Sequence, residues 1–141
     1  MNRFHLLLTV LLCGPLAAWA QEQVVVVTRR DAPVEKIDAG QATQIFLKQI
    51  ERWPDGTAIQ PIDIKEGSPL REEFYRKVAG RSLGQVRAYW ARQAFTGMGS
   101  PPRQAASAEE AARLTQSSRS AIGYVGRAQA EEALKIVLSP K

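Results

Sequence analysis

The chain has 141 residues, of which 45% are apolar and 23% are charged, and its formal net charge is +5. This length supports one ordinary hydrophobic core but not two full lobes, and the apolar content excludes a disordered chain. No glycine or proline repeat indicates a fibre. The positive charge favours solubility and gives a mild preference for anionic partners.

The first twenty residues have the composition of a secretory signal peptide. Arg3 supplies a positive charge, residues 4–12 form a short apolar run, and Ala18-Trp19-Ala20 has the small-x-small pattern that signal peptidase recognises. The apolar run is too short to span a bilayer core of about 30 Å. We therefore expect cleavage before Gln21 and a periplasmic protein without stable membrane insertion.

Removal of this leader changes which chemistry is available. The only histidine, His5, and the only cysteine, Cys13, both lie within it. The mature chain, residues 21–141, therefore has no thiol and no imidazole, which excludes disulfides, cysteine nucleophiles, Ser-His-Asp triads and Cys/His metal sites. The adjacent glutamate pairs point about 100° apart on helices and are poor catalytic dyads. We predict no enzymatic activity, no metal and no cofactor.

In the first half of the mature chain, two strands are predicted at residues 23–28 and 59–64, each followed by a helix. The first helix is capped by Asp38, and the apolar side chains predicted on it are Ile45, Phe46, Ile50 and Trp53. The second is capped by Ser68, with Pro69 at its first position, and its apolar stripe consists of Leu70, Phe74 and Val78.

The second half continues the alternation of helices and strands. Capping boxes at residues 82–85 and 107–110 begin two more helices, separated by a loop at residues 96–103. Two further strands are predicted at residues 121–125 and 134–138, with a short helix at 127–132 between them. This pattern predicts one α/β domain over residues 21–141, with helices packed on a mixed or mostly parallel sheet.

The junction between the second strand and the following helix is the strongest candidate for a site. Free amide groups at a helix start and the positive end of the helix dipole favour an anion. Gly67 and Ser68 lie in this turn, and Lys65 and Arg71 can add positive charge. Alternatively, Ser68 only caps its helix.

Five short segments, taken in order, resemble the second lobe of the phosphate-binding proteins of ABC importers, which have the type-II periplasmic binding-protein fold. The resemblance covers about residues 23–126 and rests on Ile45-Phe46-Leu47-Lys48, Trp53-Pro54-Asp55-Gly56, Lys65-Glu66-Gly67-Ser68, Tyr89-Trp90 and Ala121-Ile122-Gly123-Tyr124-Val125. It implies a three-layer helix–sheet–helix domain equivalent to one lobe, with a phosphate or similar oxyanion held at the loop containing Ser68.

The sequence departs from the family pattern at the ligand loop. Where that family has Gly-Ser-Gly-Thr, this chain has Gly67-Ser68-Pro69-Leu70, so Pro69 offers no amide hydrogen and Leu70 replaces a hydroxyl. Lys48 replaces the glycine of the family's Phe-Leu helix. The resemblance therefore implies weak or vestigial oxyanion binding.

Two functions remain open from the sequence. The first is an exported oxyanion-binding protein, with Arg29-Arg30 at the end of the first strand as a second, weaker candidate for ligand contact. The second is an envelope interaction or sensory module with no small-molecule ligand, whose crevice side docks a transporter, a sensor or another copy. The basic residues lack the aromatic interleaving of nucleic-acid-binding proteins, so that partner is not expected.

Overall fold

A computed structural model describes residues 23–130 and 133–141. The predicted leader and the Glu131-Glu132 pair lie outside the described residues. The strands are β1 (Val24–Arg29), β2 (Gln60–Ile64), β3 (Arg103–Ala105), β4 (Ala121–Gly126) and β5 (Leu134–Leu138). The α-helices are α1 (Ala39–Phe46), α2 (Pro69–Phe74), α3 (Leu83–Thr96) and α4 (Ala108–Gln116).

The five strands form one mixed sheet in the order β3-β2-β4-β1-β5. β2 is parallel to both β3 and β4, whereas β1 is antiparallel to β4 and to β5. The four valines of β1 are fully buried, as a strand covered on both faces requires. The predicted mixed α/β architecture is confirmed.

Neighbouring residues of β4 show that helices cover both faces of the sheet. A Cβ atom built on Gly123 would point at the Thr115 side chain of α4. The next residue, Tyr124, stacks its ring on Phe74 of α2 at a centroid distance of 4.0 Å and also contacts Phe46 of α1. Because successive side chains of a strand point to opposite faces, α4 lies on one face and α1 and α2 lie on the other.

The predicted first helix is shorter than expected. It begins at its Asp38 cap with a complete capping box but ends at Phe46, so the expectation that Ile50 and Trp53 belong to it is wrong. Lys48 has a φ angle of 56°, in the left-handed region. The Lys48 amide donates to Ile45 O and the Gln49 amide donates to the carbonyl five residues earlier, which is a Schellman ending.

The remaining predicted starts agree with the structure, with small differences. Ser82 and Gln85 form a complete capping box. At α4 only half of the expected box is present, because the Glu110 carboxylate accepts from the Ala106 amide and not from Ser107. A loop was predicted at residues 96–103 and no strand directly after it, but the structure has a three-residue strand, β3, that begins at Arg103. The short helix expected at 127–132 is a 3-10 turn at Arg127–Gln129.

After α2 the helical segment continues as one turn of π-helix at Tyr75–Ala79 and ends at Gly80, which has a φ angle of 61°. π-Turns are rare and often occur next to functional positions. Here the wider turn begins at Tyr75, whose hydroxyl contacts Asp63 of β2.

No helix in residues 23–130 or 133–141 is long and apolar enough to cross a membrane.

Candidate functional site

The candidate loop, residues 65–68, leaves the carboxyl end of β2 and leads directly into α2. The Lys65 amide donates to Ala105 O of β3 at 2.9 Å, which fixes the start of the loop to the sheet. The Ser68 amide donates back to Lys65 O at 3.4 Å. Gly67 has a φ angle of 91°, which strains any other residue type, although a Cβ there would meet open space.

The loop presents several free hydrogen-bond donors. The Ser68 Oγ accepts from the Arg71 amide at 3.4 Å, so the hydroxyl caps α2 while its own hydrogen stays available. Within the described chain, no protein acceptor takes the amide hydrogens of Glu66, Gly67 or Leu70. Glu66 and Gly67 are exposed, so these groups can reach a solute.

Beneath the loop, Arg71 forms a buried ion pair with Asp63 of β2. Arg71 Nη1 lies 2.8 Å from Asp63 Oδ2 and also donates to Ile64 O at 2.9 Å. Asp63 is 1% exposed and Arg71 is 4% exposed. The positive charge predicted to assist an anion at the loop is therefore paired inside the core.

Two tyrosines donate further hydrogen bonds to the Asp63 carboxylate. Tyr75 OH donates to Oδ2 at 2.6 Å, Tyr124 OH donates to Oδ1, and the Ile64 amide donates to Oδ1 at 2.8 Å. Burial, and then the nearby Asp63 charge, raise the pKa of both tyrosines well above the usual value for a phenol. Both phenols are consequently neutral donors, and the carboxylate under the loop is surrounded by donors.

A groove of about 500 Å³ runs beside the start of α2. Its charged lining consists of Glu72, Glu73 and Arg76, with Ser68 at one end. Glu73 is paired with Lys77 at 2.9 Å. Since Lys77 neutralises Glu73, the remaining charges on the groove are Glu72 and Arg76, which together give no net attraction for an anion. The exposed loop at residues 65–67 carries one cation, Lys65, and one carboxylate, Glu66.

The structure brings together three of the four predicted site residues at the surface. Lys65 and Gly67 are exposed and Ser68 is half-buried, whereas the Arg71 guanidinium faces the core. The Asp63 carboxylate and its tyrosine partners were not predicted from the sequence. One signal was available, because an acidic residue in the middle of a buried apolar strand requires a partner.

The Arg29-Arg30 pair lies at the other end of the sheet. β1 is antiparallel to β4, and β4 is parallel to β2. The carboxyl end of β1 and the loop after β2 therefore lie at opposite ends of the strands. Arg29 makes two contacts with Asp31, at 2.6 and 2.8 Å. Hydrogen bonding from Arg29 lowers the pKa of the Asp31 carboxyl, and this arginine is therefore already paired.

No cluster of three or more His, Cys, Asp or Glu side chains that could hold a metal ion occurs in the described part of the chain.

Comparison with solved structures identifies the fold. Residues covering 82% of this chain superpose on a Clostridium perfringens protein solved with bound phosphate, with a TM-score of 0.66 and 18% identity. An ABC-type phosphate transport receptor from Vibrio cholerae matches 84% of the chain with a TM-score of 0.65 and 15% identity. PstS from Borrelia burgdorferi matches 82% with a TM-score of 0.63 and 14% identity.

The same comparison shows how much of those proteins is matched. The chain spans 44%, 48% and 46% of these three structures, which corresponds to a single lobe. No protein-family model and no curated protein sequence matches the chain. The resemblance noted from the sequence is thus confirmed at the level of the fold: the chain has the fold of one lobe of phosphate-binding receptors.

Proposed function

We propose that this chain is an exported, periplasmic protein that binds phosphate or a similar oxyanion weakly at the loop after β2. The observation that supports it most is the combination of a phosphate-receptor fold with free donors at the carboxyl end of β2. In an open α/β sheet, ligands bind outside the carboxyl ends of strands. No covalent step is part of the proposal.

Hydrogen bonds to the oxyanion come mainly from the backbone. The amides of Glu66, Gly67 and Leu70 donate to its oxygens, and the Ser68 hydroxyl adds a further donor. The exposed Lys65 ammonium attracts the negatively charged oxyanion electrostatically. Arg71 has a positioning role, because its bond to Ile64 O holds the last residue of β2 from below.

Several features keep the affinity low. Pro69 has no amide hydrogen and Leu70 has no hydroxyl, and each missing hydrogen bond to a charged group is worth about 1.5–3 kcal/mol. The Arg71 charge is cancelled by Asp63. We therefore expect a dissociation constant for phosphate of about 1 mM or higher.

Calorimetric titration with sodium phosphate and with sodium sulfate tests the proposal. The informative variant is Ser68→Asp, since aspartate caps a helix as well as serine does but places a negative charge at the proposed ligand position. We expect its melting temperature to be unchanged and its phosphate binding to be lost. Lys65→Gln should weaken binding several-fold.

The matched control is Lys36→Gln, because Lys36 is an exposed lysine beside β5, the edge strand that β4 and β1 separate from β2. It should leave phosphate binding unchanged. The proposed site is wrong if the unmodified protein shows no binding up to about 10 mM phosphate. It is also wrong if Ser68→Asp binds as well as the unmodified protein.

A further inference from the structure

The outward face of α3 carries an apolar stripe that is exposed to solvent. The helix packs inward through Val86 and Trp90, which are its buried residues. Measured around the helix axis at 100° per residue, the residues of the stripe lie within about 40° of Phe95, on the side roughly opposite to Val86 and Trp90. It consists of the exposed residues Gly84, Ala88, Ala91 and Phe95.

The stripe ends in one large apolar side chain in water, and a second exposed apolar residue follows the helix. Phe95 is 94% exposed and Met98, just after the helix, is 75% exposed. Met98 lines a hollow with Tyr89 and Gln93 on another side of the helix and does not extend the stripe. Single exposed apolar residues are common, but Phe95 continues a line of small apolar residues along one face of α3. Burying an aromatic ring of this kind is worth roughly as much as burying a core residue, and aromatic residues are enriched in binding interfaces.

Unpaired arginines lie on both sides of the stripe. Arg87 is about 80° from Phe95 on one side and Arg92 is about 60° from it on the other. Neither forms an ion pair with any residue that the structure describes. Between Glu73 and Glu109 the chain contains six basic residues and no acidic residue, so α3 and the segments that flank it carry only positive charge. Glu51 lies near Tyr89 and Gln93, on another side of the helix from the stripe.

We propose that this face of α3 is a docking surface for an acidic amphipathic helix of another protein. Gly84, Ala88 and Ala91 let a second helix approach closely, Phe95 inserts between its side chains, and its flanking carboxylates pair with the arginines. The contact of α3 with the end of α1, where Tyr89 OH donates to Leu47 O at 2.9 Å, holds the helix in place.

The charge pattern favours this occupant over two others. A second copy of the chain would bring Arg87 and Arg92 against their own equivalents, and like charges across an interface are unfavourable. Insertion into a membrane surface needs a wide apolar face, whereas three of the four stripe residues are glycine or alanine. An acidic helix matches both the narrow stripe and the positive flanks.

The test uses two synthetic helical peptides of about 20 residues that share one leucine–alanine stripe. One carries glutamates beside the stripe and the other carries lysines at the same positions. We expect the purified protein to bind the glutamate peptide and not the lysine peptide, measured by fluorescence anisotropy. Phe95→Ala, and separately Arg87→Gln with Arg92→Gln, should each weaken binding about tenfold or more.

These variants are suited to the test because the altered side chains are exposed, and circular dichroism should show an unchanged fold. The matched control is Arg113→Gln, an exposed arginine on α4, which should bind the glutamate peptide normally. Phosphate titration of Phe95→Ala should match that of the unmodified protein, which separates this surface from the anion site.

Three results would overturn the proposal. One is equal binding of the two peptides, or binding that Phe95→Ala does not weaken. Another is a dimer in sedimentation analysis that Phe95→Ala converts to monomer, which would assign the surface to a second copy. The third is binding to phosphatidylglycerol vesicles that depends on Phe95 and that the glutamate peptide does not compete for.

Discussion

Arg71 of α2 and Asp63 of β2 form an ion pair in the core, with 2.8 Å between Nη1 and Oδ2, directly below the loop that carries the candidate anion site. The same guanidinium nitrogen holds Ile64 O. The loop is therefore anchored by charged groups that do not reach the surface. Several consequences of this arrangement can be measured.

Replacing Arg71 alone should be strongly destabilising. Arg71→Met leaves the buried Asp63 carboxylate without its counter-charge, which typically costs about 3–5 kcal/mol in the free energy of unfolding. Adding Asp63→Asn should recover a large part of that loss, because the remaining side chains are then neutral. Urea unfolding measures all three proteins. The control is the pair of Lys77 with Glu73, whose side chains are 29% and 13% exposed, and Lys77→Met should cost clearly less than Arg71→Met.

If Arg71→Met is no more destabilising than Lys77→Met, the ion pair does not hold the loop as described. A double variant less stable than Arg71→Met would mean that the tyrosine hydrogen bonds, and not the charge pair, dominate at this position.

The two buried tyrosines should make the protein lose stability at alkaline pH. The pKa values of Tyr75 and Tyr124 are raised in the folded state, chiefly by burial, whereas an unfolded tyrosine has a pKa of about 10. The contribution of these two tyrosines to the free energy of unfolding is therefore complete below pH about 10. It is lost progressively above that pH, because the tyrosines of the unfolded chain ionise first. Each tyrosine adds a slope of about 1.4 kcal/mol per pH unit.

Tyr75→Phe and Tyr124→Phe separate this effect from the titration of other groups. Each variant should be less stable at pH 8, since Asp63 loses a donor, but its stability should fall less steeply between pH 10 and pH 11. The urea midpoint at each pH gives both quantities. Slopes identical to that of the unmodified protein would show that these phenols ionise normally in the folded state.

Gly123 of β4 should not tolerate a side chain. A Cβ there would lie 2.5 Å from Thr115 Oγ1, and that hydroxyl is itself held by Ala111 O at 2.7 Å. Gly123→Ala should therefore destabilise the protein by about 1–3 kcal/mol. In a Thr115→Ala background the same substitution should cost clearly less, because the clashing atom is gone. Equal costs in the two backgrounds, measured by thermal unfolding, would contradict the close approach of position 123 to Thr115.

The protein should be more stable with glycine in place of Lys48. The φ angle of 56° at Lys48 places this residue in the left-handed region, where a residue with a Cβ is strained by roughly 1–2 kcal/mol. Part of this gain is offset by the greater freedom of glycine in the unfolded chain, so we expect a net gain of about 0.5–1 kcal/mol for Lys48→Gly. Lys48→Ala is the control and should show no gain, because alanine keeps the Cβ. A destabilised Lys48→Gly variant would refute the assignment of strain.

Local sequence signals were sufficient for most elements of the fold. The caps at Asp38, Ser68, Ser82 and Ser107 lie where the side-chain chemistry predicts them, because a helix start depends on residues within one turn. Strands of β-branched residues were equally clear. The end of α1 was missed because it depends on a left-handed lysine, where a glycine would have given the signal.

β3 was missed for a different reason. Its three residues, Arg103–Ala105, have no strand pattern of their own and become a strand only by pairing with β2. Such short edge strands depend on their neighbours in space, and propensity along the chain carries little information about them.

For the candidate site, the chain alone identified a turn rich in amide donors, since Gly67, Ser68 and the helix start follow one another in sequence. The tertiary structure decided where the charges go. Asp63 lies on β2, Arg71 on α2 and Tyr75 on the π-turn that follows. Tyr124 is 61 residues away from Asp63, and the four side chains meet only because β2, β4 and this helical segment pack together. A charged side chain looks the same in sequence whether it faces solvent or an opposite charge in the core, and burial determines which of the two holds.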